Sequence, residues 1–265
     1  ERYKKPKIAL NASDEPFYIA DLDDIINKHQ QWITKLSRVK PFYAVKNKLN
    51  ENVNVKIVLQ MITALGLGFD CSNKQNVNLM TFDNEDELRK LAEIAPNTKI
   101  VIRIRVDDSH SEIEMGTKFG AEMSKVSDLF MMAKKLSLNV IGVSFHVGSG
   151  CHSTKEIGFE IALLDIGGGF PGKNELIDIL LFNDCTDKIN HSLGVHFPPK
   201  MNIDIIAEPD RYYVASAFTF TTMIIGKRME IINDQTLIKY YINDGIFGSL
   251  NPIVVKQIAP IPQLK

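Results

Sequence analysis

Several short runs of the chain end on reactive side chains. In "PFYAVK", four strand-forming residues, Phe42 to Val45, lead into Lys46, whose amine can form a Schiff base with an aldehyde. In "VSFHVGSG", His146 closes an apolar run, and Ser149 follows between Gly148 and Gly150 as a hydroxyl donor. In "IIAEPDRYYVASAF", Glu208 ends another run and Arg211 comes three residues later. A carboxylate there can pair with a protonated ring nitrogen, and the guanidinium can hold an anion. "LLDIGGGFPG" feeds Gly167, Gly168 and Gly169, which carry no Cβ and let backbone N–H groups close around an anion. Taken singly, each has a plain structural explanation: a solvated lysine, a satisfied core histidine, a salt bridge, an ordinary turn. Taken together, they ask what would bring them to one place.

The elements between them answer that. "DLDDIINKHQQWITKLSRV" has helical spacing, with Asp21 as cap and Leu22, Ile25, Ile26, His29 and Ile33 as the apolar stripe. Seven strand candidates follow: "PFYAVK", "LGFD", "NLMTFD", "KIVIRIRV", "VIGVSFHVG", "IALLDIGGG" and "IDIIAEP". Several are apolar on both faces, as buried parallel strands are, and helix-like segments alternate with them. Their C-terminal ends carry Lys46, Asp70, Asp83, Arg103, His146, Asp165 and Glu208. That is the end of the strands at which a (β/α)8 TIM-type barrel builds its active site.

Such a barrel has eight strands, and this chain offers seven. Only Lys74 to Val77 separate "LGFDCSN" from "NLMTFD", whereas a parallel crossover needs about a dozen residues. "TKEIGFE" is similarly short ahead of "IALLDIGGG". The chain is therefore expected to lack connecting segments at both joints. After "RYYVASAF" the residues become β-branched and aromatic, "FTFTTMIIGKRMEII" and then "TLIKYYINDGIFGSL", which predicts antiparallel β-structure. Residues 22–217 thus read as the barrel, and 1–21 with 218–265 as an incomplete β domain. The strand "EPFYIAD", just ahead of the first helix, would by its place join the barrel.

Composition narrows the function classes. With 265 residues the chain can bury a full core. A net charge of -1 and a pI near 6.7 suggest neither nucleic-acid nor membrane-surface binding. No apolar run approaches the roughly 18 residues of a transmembrane helix, and "ERYKKPKIAL" lacks the apolar core of a signal peptide. Cys71, Cys151 and Cys185 are odd in number and show no metal-ligand spacing. A metal-free protein of the reducing cytoplasm is the expectation.

A lysine for a Schiff base, an acid for a pyridinium nitrogen, a histidine for a ring face, and glycine, serine and arginine for a phosphate together meet the needs of pyridoxal 5'-phosphate (PLP). The motifs "PFYAVK", "GLGFDCSNK", "GVSFHVGSGC", "LLDIGGGFPG", "EP" with "RYYVASAF", and "YYINDGIFGS" closely resemble the eukaryotic ornithine decarboxylases, of the alanine-racemase-like, fold-type III group of PLP enzymes. The likeness runs from about residue 16 to 251. It implies a PLP-binding barrel with a C-terminal β domain, and decarboxylation of L-ornithine to putrescine in polyamine biosynthesis. It also implies a homodimer with shared active sites, and antizyme as a further partner. By the same resemblance Lys46 would carry the cofactor, Asp70 would position that lysine, and His146 would stack on the ring. Glu208 would pair with the ring nitrogen, while Arg211, Ser149 and the amides of Gly168 and Gly169 would hold the phosphate. Arg103 matches a family arginine near the cofactor.

The sequence departs from that pattern in places. Asp210 stands where the family has glycine beside the phosphate, and "VKNK" replaces "VKCN". Asn76 takes a glutamate position, Phe247 a tyrosine position, and Lys256 the position of an aspartate that grips the substrate's distal amine. The family's cysteine-aspartate motif does not occur in these residues. Two alternatives stay open: a catalytically inactive, antizyme-inhibitor-like paralogue, and a decarboxylase of another basic amino acid such as arginine or lysine.

Overall fold

The structure is a computed structural model, and it describes residues 14–45, 53–71, 79–106, 119–146, 161–233 and 235–251, with 253 and 262. The chain divides into two units, residues 21–217 and residues 1–20 with 218–265.

In the larger unit, seven strands of the described residues form one parallel sheet. They are β2 (Val39–Val45), β3 (Gly68–Cys71), β4 (Leu79–Phe82), β5 (Lys99–Ile104), β6 (Asn139–Phe145), β7 (Leu163–Asp165) and β8 (Asp204–Ala207). All seven strands read from the sequence are present. Their order is β3-β2-β8-β7-β6-β5-β4. Followed from β4 through β8 and back to β2 and β3, this is the chain order wound once around, which is the winding of a (β/α) barrel. The sheet is open where β3 and β4 stand as its two edges. Among the described residues, those strands flank the shorter of the two joints noted above. The joints themselves, within 72–78 and 147–160, lie outside the described residues.

Alternation along the strands sorts side chains to two faces. Ile100, Ile102, Ile104, Val140, Val143 and Phe82 face outward and form a buried cluster with Leu88 and Leu91 of α3 (Glu85–Ile94) and Val126, Leu129, Phe130 and Ala133 of α4 (Met123–Lys135). Val101, Leu163 and Ile206 form a second cluster with Phe42, Leu79 and Ile141.

Helix α1 (Leu22–Lys35) begins where the sequence predicts, with the Asp21 carboxylate accepting the Asp24 N–H at 3.2 Å. Its buried face differs from the predicted stripe: Ile25, Lys28 and Trp32 point inward, while Ile26 and Ile33 are exposed. The indole decides the helix's rotation. Trp32 is fully buried, donates from Nε1 to the Val39 carbonyl at 2.9 Å, and lies against Phe170, Tyr212 and Phe182. α2 (Val53–Ala64) joins β2 to β3, α5 (Leu176–His196) joins β7 to β8, and α6 (Asp210–Val214) follows β8. Arg38 closes the end of α5 by donating to the Phe197 carbonyl at 2.6 Å. No helix of the described residues is long and apolar enough to cross a membrane.

In the smaller unit, β1 (Phe17–Ala20) pairs antiparallel with β9 (Phe218–Thr221), and β10 (Ile224–Ile232) pairs antiparallel with β11 (Gln235–Ile242). The strand "EPFYIAD" therefore does not join the parallel sheet. Its partner is a strand about 200 residues later in the chain, a pairing that no local pattern announces.

Candidate active site

The site grows out of one row across the parallel sheet. Arg103 of β5 is in register with Ser144 of β6, Ser144 with Asp165 of β7, and Asp165 with Ile206 of β8. Register partners on parallel strands share a face, so Arg103, Ser144, Asp165 and Ile206 form one inward row, one alternation beyond Val101 and Leu163. One alternation further on, just beyond the strand ends, come His146 and Glu208.

Asp165 is buried and firmly held. The Ser144 hydroxyl donates to its Oδ2 at 2.9 Å, and the Gly167 N–H donates to its Oδ1 at 2.9 Å. Its carboxyl also shares a hydrogen bond with that of Glu208. Two carboxyls in contact, one buried and one half-buried, cannot both ionise cheaply. Burial first, then the charges of Asp165 and Asp70, push Glu208 up to about 9, against a smaller opposing pull from Arg103. Asp165 is raised as well, mainly by burial, and its hydrogen bonds to Gly167 and Ser144 work against that. The Arg103 guanidinium lies 5.0 Å from the Phe119 ring centre. Asp70, at the end of β3, is in register with Ala44 of β2, two residues before Lys46. Among the described residues no group of three His, Cys, Asp or Glu side chains is arranged to hold a metal.

The glycine run threads between the ends of β6 and β8. Gly167 has φ 67°, and a Cβ on it would stand 2.3 Å from the Phe145 carbonyl oxygen. A Cβ on Gly168 would meet the Glu208 carbonyl oxygen at 2.7 Å and His146 Nε2 at 2.9 Å. The Glu208 N–H donates to the Gly167 carbonyl at 2.7 Å, so the loop and the acid move as one. Phe170, next in the chain, anchors the loop on Trp32 with ring centres 4.7 Å apart. On α6, the Asp210 carboxylate accepts the Arg211 N–H at 2.5 Å. Tyr43 is pushed up to about 12, mainly by burial and then by the Asp210 charge.

The structure thus brings Arg103, His146, Glu208 and Gly168 together, with Asp70 near enough to act on Glu208 through its charge. Gly169 follows in the same loop with φ 92°, and Arg211 begins the helix behind it. Lys46 and Ser149 lie outside the described residues, as do Asn76 and Lys256. Phe247 belongs to the smaller unit and is 99% exposed. The sequence reading sets Asp165 at the active-site end of the strands without a role, and leaves out Ser144. Their signal was a polar pair in register on buried strands, which only the sheet pairing makes visible. As a test of fit to PLP, the acid with raised proton affinity suits a ring nitrogen, the imidazole edge suits a ring, and the loop that excludes any Cβ suits a phosphate.

Comparison with known proteins agrees with this arrangement. The family described as "Pyridoxal-dependent decarboxylase, pyridoxal binding domain" matches residues 22–79 and 73–215. Antizyme inhibitor 2 of Xenopus laevis is 38% identical over 316 aligned positions that take in 97% of this chain and 68% of that protein. Ornithine decarboxylase of Rattus norvegicus is 37% identical over 94% of this chain and 65% of its own length. The chain spans about two thirds of the length of these relatives, and alignments longer than the 265-residue chain itself mean that they carry residues it lacks. Among solved structures, the arginine decarboxylase of Paramecium bursaria Chlorella virus bound to agmatine superposes with a TM-score of 0.82 at 27% identity, covering 96% of this chain and 79% of that one. The strand winding, the acid and glycine loop at the strand ends, and these matches establish that the chain belongs to the pyridoxal-dependent decarboxylases and carries their pyridoxal-binding domain.

Proposed function

We propose that the protein is a PLP-dependent decarboxylase that converts L-ornithine to putrescine and carbon dioxide, a step of polyamine biosynthesis. The observation that carries this reading is the Glu208 carboxyl, half-buried at the strand ends beside His146 and the glycine loop. An acid in that setting is stabilised by a cationic ring nitrogen. The matches to ornithine decarboxylases support the substrate.

Lys46, directly after β2, would hold the cofactor covalently, and Asp70 would orient that amine. Glu208 would take the ring nitrogen and His146 one face of the ring. The Gly168 and Gly169 amides, Ser149 and Arg211 would hold the phosphate, with Arg103 at the side of the site. When bound, PLP supplies the electron sink for the pair left on the α-carbon as carbon dioxide departs. The chain's own contribution is to keep a proton on the ring nitrogen through Glu208. Phe42, Val101, Leu163 and Ile206 close the floor of the site to water. We further propose residues 22–217 as the barrel domain and 1–21 with 218–265 as part of the β domain. A cytoplasmic homodimer with shared active sites, with antizyme as a further partner, completes the reading.

A specific observation favours a second reading, an inactive regulator of the antizyme-inhibitor kind. Asp210 places a carboxylate on the Arg211 amide, at the edge of the anion loop, and one relative bears that name. Decarboxylation of arginine is a third, from the likeness to the viral arginine decarboxylase.

The deciding experiment is release of labelled carbon dioxide from carboxyl-labelled ornithine, arginine and lysine by the purified protein with added PLP. Release from ornithine that is lost in Lys46→Ala is the expected result. Release from another of the three reassigns the substrate, and no release from any of them overturns the enzyme reading in favour of the regulator.

A further inference from the structure

We propose that Asp165 is a positioning residue for Glu208: fixed by Ser144 and the Gly167 amide, it holds the Glu208 carboxyl through one shared proton, which the pair keeps for a ring nitrogen brought against Glu208. The inference rests on the pyridoxal reading of the same site. It concerns two residues, Asp165 and Ser144, that the proposed catalytic set does not use.

The geometry gives the two acids unequal roles. Asp165 accepts from the Ser144 hydroxyl on one oxygen and from the Gly167 amide on the other, each at 2.9 Å. Donors on both oxygens favour the ionised form. Asp165 is therefore the acceptor in its contact with Glu208, and the shared proton resides on Glu208. Among the described residues, the other charged or titratable groups facing the pair are Asp70 from β3, Arg103 from β5 and His146 after β6. Asp70 reinforces proton retention and Arg103 opposes it.

The proton balance is simple. Without a cation the pair carries one proton and one negative charge. Against a ring nitrogen, the proton leaves the Glu208 oxygen for the nitrogen lone pair. Glu208 becomes a carboxylate, and the new negative charge faces the new positive one. The chain thus arrives with the proton the nitrogen requires, and Asp165 sets how firmly it is held beforehand.

Two readouts test this on the full-length chain. In cofactor-free protein near neutral pH, infrared difference spectra of wild type against Glu208→Gln should contain a protonated-carboxyl stretch. That stretch should be absent from Asp165→Asn, whose Glu208 has lost its charged neighbour, and retained in Ser144→Ala. Calorimetric titration of PLP in buffers of different ionisation enthalpy should show Asp165→Asn taking up about one more proton per site than wild type. Ser144→Ala, which keeps both acids, should lie close to wild type, and the wild-type stretch read against Glu208→Gln tests the idea even if Asp165→Asn folds poorly. A stretch that persists in Asp165→Asn, or is missing from wild type, overturns the proposal, as does an unchanged proton count. Wild-type protein that takes up no PLP would overturn the pyridoxal reading, and the infrared arm, read without cofactor, tells that failure apart from this one.

Discussion

At the scale of single residues, Asp210 is the position where this chain most directly affects its own site. Its carboxylate sits on the Arg211 N–H at 2.5 Å, at the start of a short helix beside the glycine loop. A negative charge there competes with any anion that the neighbouring amides and the Arg211 guanidinium could hold. Asp210→Gly should tighten PLP binding about tenfold, equivalent to about 1.4 kcal/mol. An unchanged dissociation constant in a fluorescence titration would remove Asp210 from the account of cofactor retention. The sequence exposed this position because it stands where the resembled family has glycine, and His146, Glu208 and Arg103 because each is a polar residue closing an apolar run. Asp165 closes such a run as well, but the three glycines after it drew the reading to the phosphate. What marks Asp165 is its register with Ser144, a relation between strands about 20 residues apart that composition does not encode.

Among the elements, α1 and the glycine loop depend on each other. Trp32 is fully buried among Phe170, Phe182 and Tyr212, and Phe170 belongs to the loop that follows Gly169. A second tie lies at the start of α1. The Asp24 carboxylate accepts from Asn174 at 2.8 Å and from the Ser216 hydroxyl, whose oxygen also lies 3.1 Å from the Gly172 carbonyl as an alternative acceptor. Trp32→Ala should therefore cost about 3–5 kcal/mol of stability, as removal of a large buried aromatic does. It should also weaken PLP binding although it touches no cofactor. Denaturant unfolding and a cofactor titration would check the two effects, and a stability loss with unchanged PLP affinity would show that the loop holds its shape without Trp32. Helical spacing revealed that α1 exists and where it is capped. It misassigned the inward face because Ile26 and Ile33 compete with a single tryptophan, and only the aromatic partners on other elements settle the rotation in favour of Trp32.

For the molecule as a whole, the strand ends concentrate acids: Asp70, Asp165 and Glu208 against Arg103. That the sheet would be parallel, with its polar residues at one end, was legible from the alternation of strand and helix. That it would be open between β3 and β4 was legible only as a joint too short for a crossover. The concentration of acids has a consequence for stability. Glu208 is raised to about 9 in the folded protein, whereas an unfolded glutamate titrates near 4.3, to about a unit. Between those values the folded chain holds a proton that the unfolded chain has released, so stability falls as pH rises through that window. Cofactor-free protein should thus become less stable from about pH 5 to about pH 9 through this group. In Glu208→Gln that part of the slope should vanish, because the amide carries no titrating proton. Saturating PLP should raise the whole profile, by binding the folded state alone. Melting temperatures of wild type and Glu208→Gln, measured across that range with and without PLP, would check the sign. Parallel pH profiles for the two proteins would mean that Glu208 is ionised in the folded chain and that a different group governs the charge at the strand ends.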